Sequence, residues 1–284
     1  MLYVVLSILC SVCVGVVLKY AKQNNKSIAQ IIATNYVAAF FLNQIIFSPT
    51  LFPKIETNIW AIVLILGLLL PIVFIFQAKA IAYSGIVKTD IAQRLSLLLS
   101  LFGAFFFFHE TITFLKVLGL FIALLAVIFT LNKQSKSTDK EIKTPYLLLV
   151  LLGFGIIDLL FKKTATITTL PFTTLLQNIF FIALLVAWCI VIYSIRKKQE
   201  KFNYTTILWG LSVGILNFGN IYFYIKAHQA VVNNPSIIFI SMNMGVIILG
   251  TLVGKYLFKE KLSQYNYIGI VLALFAIYIL FLSK

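Results

Sequence analysis

The stretch FHETITFLKVLG at residues 108–119 decides the fold, because it returns as FKEKLSQYNYIG at residues 258–269. Phe108, Glu110 and Gly119 meet Phe258, Glu260 and Gly269 at an offset of 150, and His109 stands opposite Lys259. Further back, Gly67, Phe76, Lys79 and Ala80 recur as Gly214, Phe223, Lys226 and Ala227 at an offset of 147. Tyr3, Lys19 and Asn35 recur as Tyr146, Lys162 and Asn178 at an offset of 143. In a chain that is 61% hydrophobic, Leu and Ala matches carry no weight, so the repeat rests on its Lys, Asn, Glu and Gly members. Offsets that grow by a few residues are what loop insertions leave in a duplicated chain.

Only 11% of the 284 residues are charged and the mean hydropathy is +1.03, which excludes a soluble domain with a polar coat. Apolar runs long enough for the roughly 20 residues of a bilayer-spanning helix predict ten spans. They lie near 1–18, 28–48, 59–79, 87–108, 112–131, 145–162, 172–195, 206–226, 236–255 and 264–282. The expected organisation is a five-helix repeat at 1–131, a basic linker at 132–144 and a second five-helix repeat at 145–284. The first span lacks a basic start and a small-residue cleavage site, so it reads as a helix and not as a signal peptide. Cys10, Cys13 and Cys189 all fall inside spans and imply no disulfide framework, metal site or other cofactor.

The net charge of +15 does not mark a nucleic-acid binder, because the basic residues sit in short loops, as membrane-face anchors do. The loops after the first, fifth, seventh and ninth spans hold 14 Lys and Arg, and the opposite side holds 5, with Lys79, Lys88, Arg94 and Lys226 set aside as embedded or borderline. The positive-inside rule puts the richer face in the cytoplasm and both termini outside. The expected location is a multi-pass position in a bacterial inner (plasma) membrane.

Five spans per half force the second copy to enter the membrane from the opposite side. Such inverted repeats are the architecture of alternating access, with the substrate site near the midplane between the copies. Ten spans in two copies, each closing on a short Glu turn and a Gly-bearing last helix, resemble the EamA type of the drug/metabolite transporter superfamily. The residues that carry the resemblance are Phe108, His109, Glu110 and Gly119 with their echo Phe258, Lys259, Glu260 and Gly269, preceded by Lys79-Ala80 and Lys226-Ala227. The resemblance spans essentially the whole chain and implies an all-α integral membrane transporter. Two features depart from it. Relatives often carry a proline in the fourth and ninth helices, where this chain has Arg94 and the Asn243–Met244 region. Ten-helix relatives usually keep both termini in the cytoplasm, so the orientation stays open.

Ionisable groups inside a bilayer cost several kcal/mol unless they face protein or water, which makes each a site candidate. Asp90 and Arg94 are spaced i, i+4 in the fourth span, as are Asp158 and Lys162 in the sixth. Each pair either neutralises itself to hold the fold or acts directly. Asp158 and Asp90 are the coupling candidates, Asp158 first. No carboxylate stands at the matching Gly15, which points to uniport, exchange or weak coupling. Glu110 and Glu260 lie at helix ends and are expected to serve turns and caps. Lys79 and Lys226 either snorkel to the interface or contact an anion. Lys226 is nine residues from Asn217, on the opposite face of an ideal helix. Asn217, Asn220 and Tyr224 share one stripe at i, i+3, i+7 and are expected to wall a cavity. Asn35, Asn178 and Asn243 complete the candidate substrate-binding set, with interhelical hydrogen bonding as the alternative for the amides.

Gly210 with Gly214 and Gly250 with Gly254 are GxxxG spacings, which predict close helix packing. Asn234-Pro235 reads as a helix start. The expected activity is secondary transport of a small polar or anionic metabolite. A lipid-phosphate flippase is the rival within transport. A membrane enzyme is the rival outside it, disfavoured because two histidines and few acids form no catalytic or metal-ligand spacing.

Overall fold

The computed structural model describes residues 2–54, 56–96, 114–131, 144–167, 170–198, 201–230 and 235–282. The turn at His109 and Glu110, the aromatic run 105–108, the linker at 132–143 and Asn234 lie outside the described residues, as does the side chain of Lys162.

Among the described residues there are ten helices and no strand. They are α1 (Leu2–Gln23), α2 (Ile28–Phe47), α3 (Thr57–Ser84), α4 (Ile86–Leu95), α5 (Phe114–Leu131), α6 (Thr144–Ile167), α7 (Phe172–Lys198), α8 (Tyr204–Ala230), α9 (Pro235–Tyr256) and α10 (Gln264–Leu282). Among the described residues, α1, α2, α3, α7 and α8 are long and apolar enough to cross a bilayer, and α6, α9 and α10 carry shorter apolar stretches. Several helices outrun the apolar spans read from the sequence: α1 continues past Lys19 and Lys22, and α7 continues to Lys198. The apolar run stops at the first charge, whereas a helix continues into the interface, where lysines reach water along their own stems.

The outward faces are apolar. Leu64, Leu68 and Ile72 on α3, and Val117, Phe121, Leu124 and Ile128 on α5, recur at helical spacing and are exposed. In water such stripes would be an aggregation surface; in lipid they are the expected coat.

Packing crosses between the two parts of the chain. The helix α2 lies on α8 and α3 on α7; α1 lies on α8 and α3 on α6; α1 lies on α9 and α4 on α6. The pairs α2 with α7, α4 with α9, and α5 with α10 are also in contact. Adding five to each helix number, counted round a cycle of ten, exchanges the contacts within each of the first three couples and returns each of the last three pairs to itself.

Glycines set the closest crossings. A Cβ on Gly214 would stand 2.5 Å from Ala38 Cβ and 2.8 Å from the Asn35 carbonyl oxygen, so α8 rides directly on α2. A Cβ on Gly67, 147 residues before Gly214, would stand 2.5 Å from Ile182 Cβ, bringing α3 onto α7 in the same way. Gly210 meets Thr34 and Ile31 on α2, and Gly250 and Gly254 face Asp90 and Val87 on α4, so both GxxxG spacings are close-packing sites.

Gly85 separates α3 from α4 at φ +90°, a region that side chains with a Cβ avoid. A Cβ there would also come within 2.6 Å of Glu260 Oε2. Glu260 accepts hydrogen bonds from the Ile86 amide at 2.7 Å and the Val87 amide at 3.3 Å, and it is ion-paired with Lys19. The expected capping role is therefore met, but the helix capped is α4, far away in sequence. A carboxylate at a helix N-terminus satisfies orphan amides and complements the helix dipole.

Candidate functional site

A cavity of about 210 Å³ opens between α1–α4 and α6–α8. Its polar lining comes from Ser11, Tyr36, Gln77, Asp90, Gln93, Asn217 and Asn220. Its apolar wall includes Phe74, Phe154, Phe161, Phe172 and Phe180. Both halves of the chain contribute, and every polar contributor sits well inside its helix or on the short α4.

Helical spacing explains the α8 wall. Asn217 and Asn220 are three residues apart, so both amides fall on one face. Asn217 Nδ2 donates to Asn35 Oδ1 at 3.3 Å, and the fully buried Asn35 keeps its own Nδ2 without a hydrogen-bond partner. Asn220 is held by Ser7, whose hydroxyl lies 2.7 Å from its Oδ1 and 2.9 Å from its carbonyl oxygen. Across the cavity Gln77 Nε2 donates to Gln93 Oε1 at 2.8 Å. Each glutamine keeps further hydrogen-bonding capacity after that bond, since a side-chain amide carries two donors and two lone pairs.

Arg94 is the hub behind this wall. Its Nη1 donates to Asn243 Oδ1 at 3.3 Å, and its Nη2 donates to Ser11 Oγ at 3.2 Å. Its Nε is buried without a hydrogen-bond partner. Arg94 of α4 and Asn243 of α9 thus touch each other. Asp90, Asp158 and Tyr224 are the ionisable neighbours of Arg94. The i, i+4 pairing of Asp90 with Arg94 is replaced by this reach across helices. Asp90 turns toward α9, its Oδ2 packs on Gly250, and that oxygen has no hydrogen-bond partner. Asp158 Oδ2 accepts from Ser96 Oγ at 3.3 Å, which ties α6 to the end of α4.

Other sequence candidates lie elsewhere. Lys79 is at the far end of α3, 5.6 Å from the Tyr146 ring centroid, and Lys226 lies 5.8 Å from that of Tyr222, one turn back on its own helix. Neither lines the cavity. Asn178 Oδ1 accepts from the Phe52 amide at 2.9 Å, and its Nδ2 donates to the carbonyl oxygens of Thr174 and Thr50. That amide ties the α2–α3 connection to α7. Tyr224 continues the α8 stripe towards Arg94 but lies outside the cavity lining. Reading for charge missed Ser11, Gln77 and Gln93. The available signals were Gln77 in the apolar run of α3 and Gln93 next to Arg94.

The EamA-like transporter family matches residues 1–132. Over 286 aligned residues the chain is 40% identical to an uncharacterized protein of Haemophilus influenzae, covering 98% of this chain and 96% of that one.

The chain belongs to the EamA-like transporter family.

The family lies within the drug/metabolite transporter superfamily, and its members are transporters, not enzymes. A solved crystal structure of a protein superposes on this EamA-like transporter with a TM-score of 0.61, over 99% of this chain and 96% of that one. At 12% identity the likeness is one of fold alone. The family, the apolar outer faces and the bilayer-length helices together make this a multi-pass membrane protein.

Proposed function

We propose that this EamA-like transporter is a secondary carrier that moves a small polar or anionic metabolite across a bacterial inner membrane by alternating access. Two inverted five-helix repeats, 1–131 and 145–284, flank the cavity. The observation that carries this reading is Arg94, held between Ser11 of α1 and Asn243 of α9 behind a cavity lined from both halves. The exchange of helix contacts on adding five, and the matched glycine crossings at Gly67 and Gly214, support the inverted arrangement. A cavity of about 210 Å³ is smaller than the roughly 300–1,000 Å³ of drug-sized ligand sites, which favours a small solute over a lipid.

Arg94 supplies the charge that attracts an anionic group, while Gln77, Gln93, Asn217 and Asn220 orient polar groups of the substrate. Transport is uniport, exchange or weakly ion-coupled. The test is counterflow in proteoliposomes loaded with a cell-extract metabolite mixture. The reading requires the protein-dependent exchange of at least one small polar solute, reduced in Arg94→Lys. Exchange of labelled phospholipid between leaflets with no soluble substrate would support the flippase instead. A substrate-driven pH change abolished by Asp158→Asn would overturn the uncoupled mechanism.

A further inference from the structure

A second pocket, of about 830 Å³, opens at the face where α1 turns into α2, where α3 and α7 end, and where α8 begins. Lys22, Lys26, Lys79 and Lys201 line it, brought from three separate parts of the chain. Among the described residues no carboxylate lines it. Asn25, Ser27, Ser194, Asn203 and Thr206 add neutral hydrogen-bonding groups, and Ile28, Ile75 and Ile190 give it an apolar side. Lys26 Nζ donates to Thr205 Oγ1 at 2.7 Å, a neutral partner that leaves its charge uncompensated.

Four ammonium groups around one concavity repel each other. An anion with several acceptor oxygens removes that cost, as lysines act on phosphate as point charges. The aromatic rim of the pocket favours one source of phosphate. Exposed Tyr193 and Phe202 stand in its rim, with exposed Tyr204 beside them, and aromatic residues in such a belt mark the headgroup level of a bilayer. The pocket also opens on the face with the larger share of basic loops, and basic pockets between helices on that face suit anionic lipid headgroups.

We propose that this pocket is a phosphate-group site filled by the headgroup of an anionic phospholipid, with an acyl chain lying along the apolar side near Ile75 and Ile190. The site is distinct from the central cavity and stands whether or not the transport reading holds.

The experiment is native mass spectrometry of the full chain, purified in detergent and offered phosphatidylglycerol and phosphatidylethanolamine in equal amounts, with glycerol 3-phosphate as a soluble competitor. Phosphatidylglycerol is expected to be retained at least about tenfold over phosphatidylethanolamine, about 1.4 kcal/mol. Glycerol 3-phosphate in equal amount should not displace it. Replacing Lys22, Lys26, Lys79 and Lys201 together by Gln should abolish the preference. Replacing Arg196, Lys197, Lys255 and Lys259 by Gln, a charge-matched control outside the pocket, should leave it. Should the quadruple pocket variant not fold, Lys22→Gln with Lys201→Gln, both exposed positions, should still reduce the preference several-fold. Equal retention of the two lipids, equal loss in the control variant, or displacement by glycerol 3-phosphate overturns the proposal.

Discussion

Lys19, in the next-to-last turn of α1, is ion-paired with Glu260, 241 residues further along the chain. The same carboxylate accepts the first two amides of α4, the helix that carries Asp90 and Arg94. One side chain from the second half thus fixes where two helices of the first half meet. The pair is largely shielded, with side-chain exposures of 14% and 11%.

A double-mutant cycle tests that junction. Glu260→Gln is expected to cost about 1.5–3 kcal/mol of stability, because charge-assisted hydrogen bonds are lost. Lys19→Met should cost less, since the amides of α4 keep their acceptor. The two together should fall short of the sum by about 0.5–3 kcal/mol, the coupling of residues in contact. Denaturation in detergent micelles measures all four proteins, and simple additivity would show that the contact contributes nothing.

The glycine crossings predict opposite signs for the same substitution. Gly214→Ala places a Cβ 2.5 Å from Ala38 and should destabilise by about 1–3 kcal/mol, the usual range for overpacking. Gly67→Ala should behave alike, against Ile182. Gly15→Ala meets nothing closer than 3.7 Å, so the gain in helix propensity should leave stability unchanged or higher. Thermal unfolding of the three variants checks the contrast.

Arg94 holds two partners with two different nitrogens. A lysine offers one compact ammonium and cannot reproduce that fork. Arg94→Lys is expected to lower initial counterflow rates by about tenfold to a hundredfold, matching about 1.5–3 kcal/mol for charge-assisted hydrogen bonds. A variant with unchanged rates would remove Arg94 from the substrate path.

From sequence Asn217 belongs to a cavity wall and Asn178 is either a substrate contact or an interhelical tie; in the structure Asn217 lines the cavity and Asn178 binds the α2–α3 connection. Asn178→Ala cuts the ties between α7 and the α2–α3 connection, so it should lower the melting temperature and leave the substrate concentration for half-maximal transport unchanged. Asn217→Ala removes a cavity amide and should raise that concentration, with a fall in melting temperature as well because the buried Asn35 Oδ1 loses its donor. The reverse pattern would exchange their roles.

Much of the fold was legible in the sequence, because spans and GxxxG spacings are local patterns with a direct physical cause. Nine of the ten helices fall close to the apolar runs, and of the fourth span the described part is α4, Ile86–Leu95. Glu260 was readable as a cap, but its target was not, since nothing local in α4 points to a residue in another half of the chain. The site was only partly readable. Asn217 and Asn220 followed from helical spacing, whereas Gln77 and Gln93 become site residues only when α3 and α4 fold back on each other at Gly85. Charge drew attention to Lys79 and Lys226, and both turned out to lie against aromatic rings outside the cavity.

The central claim is that the cavity between the halves is reached from each side of the membrane without a continuous pore. Gln77→Cys, in a background with Cys10, Cys13 and Cys189 replaced by alanine, places one thiol in that cavity. Labelling with a membrane-impermeant thiol reagent, applied to one face of the vesicles at a time, is the direct measurement. The account predicts reaction from either face while the vesicles retain a trapped small dye. Reaction from one face alone, or reaction accompanied by loss of the dye, would contradict it.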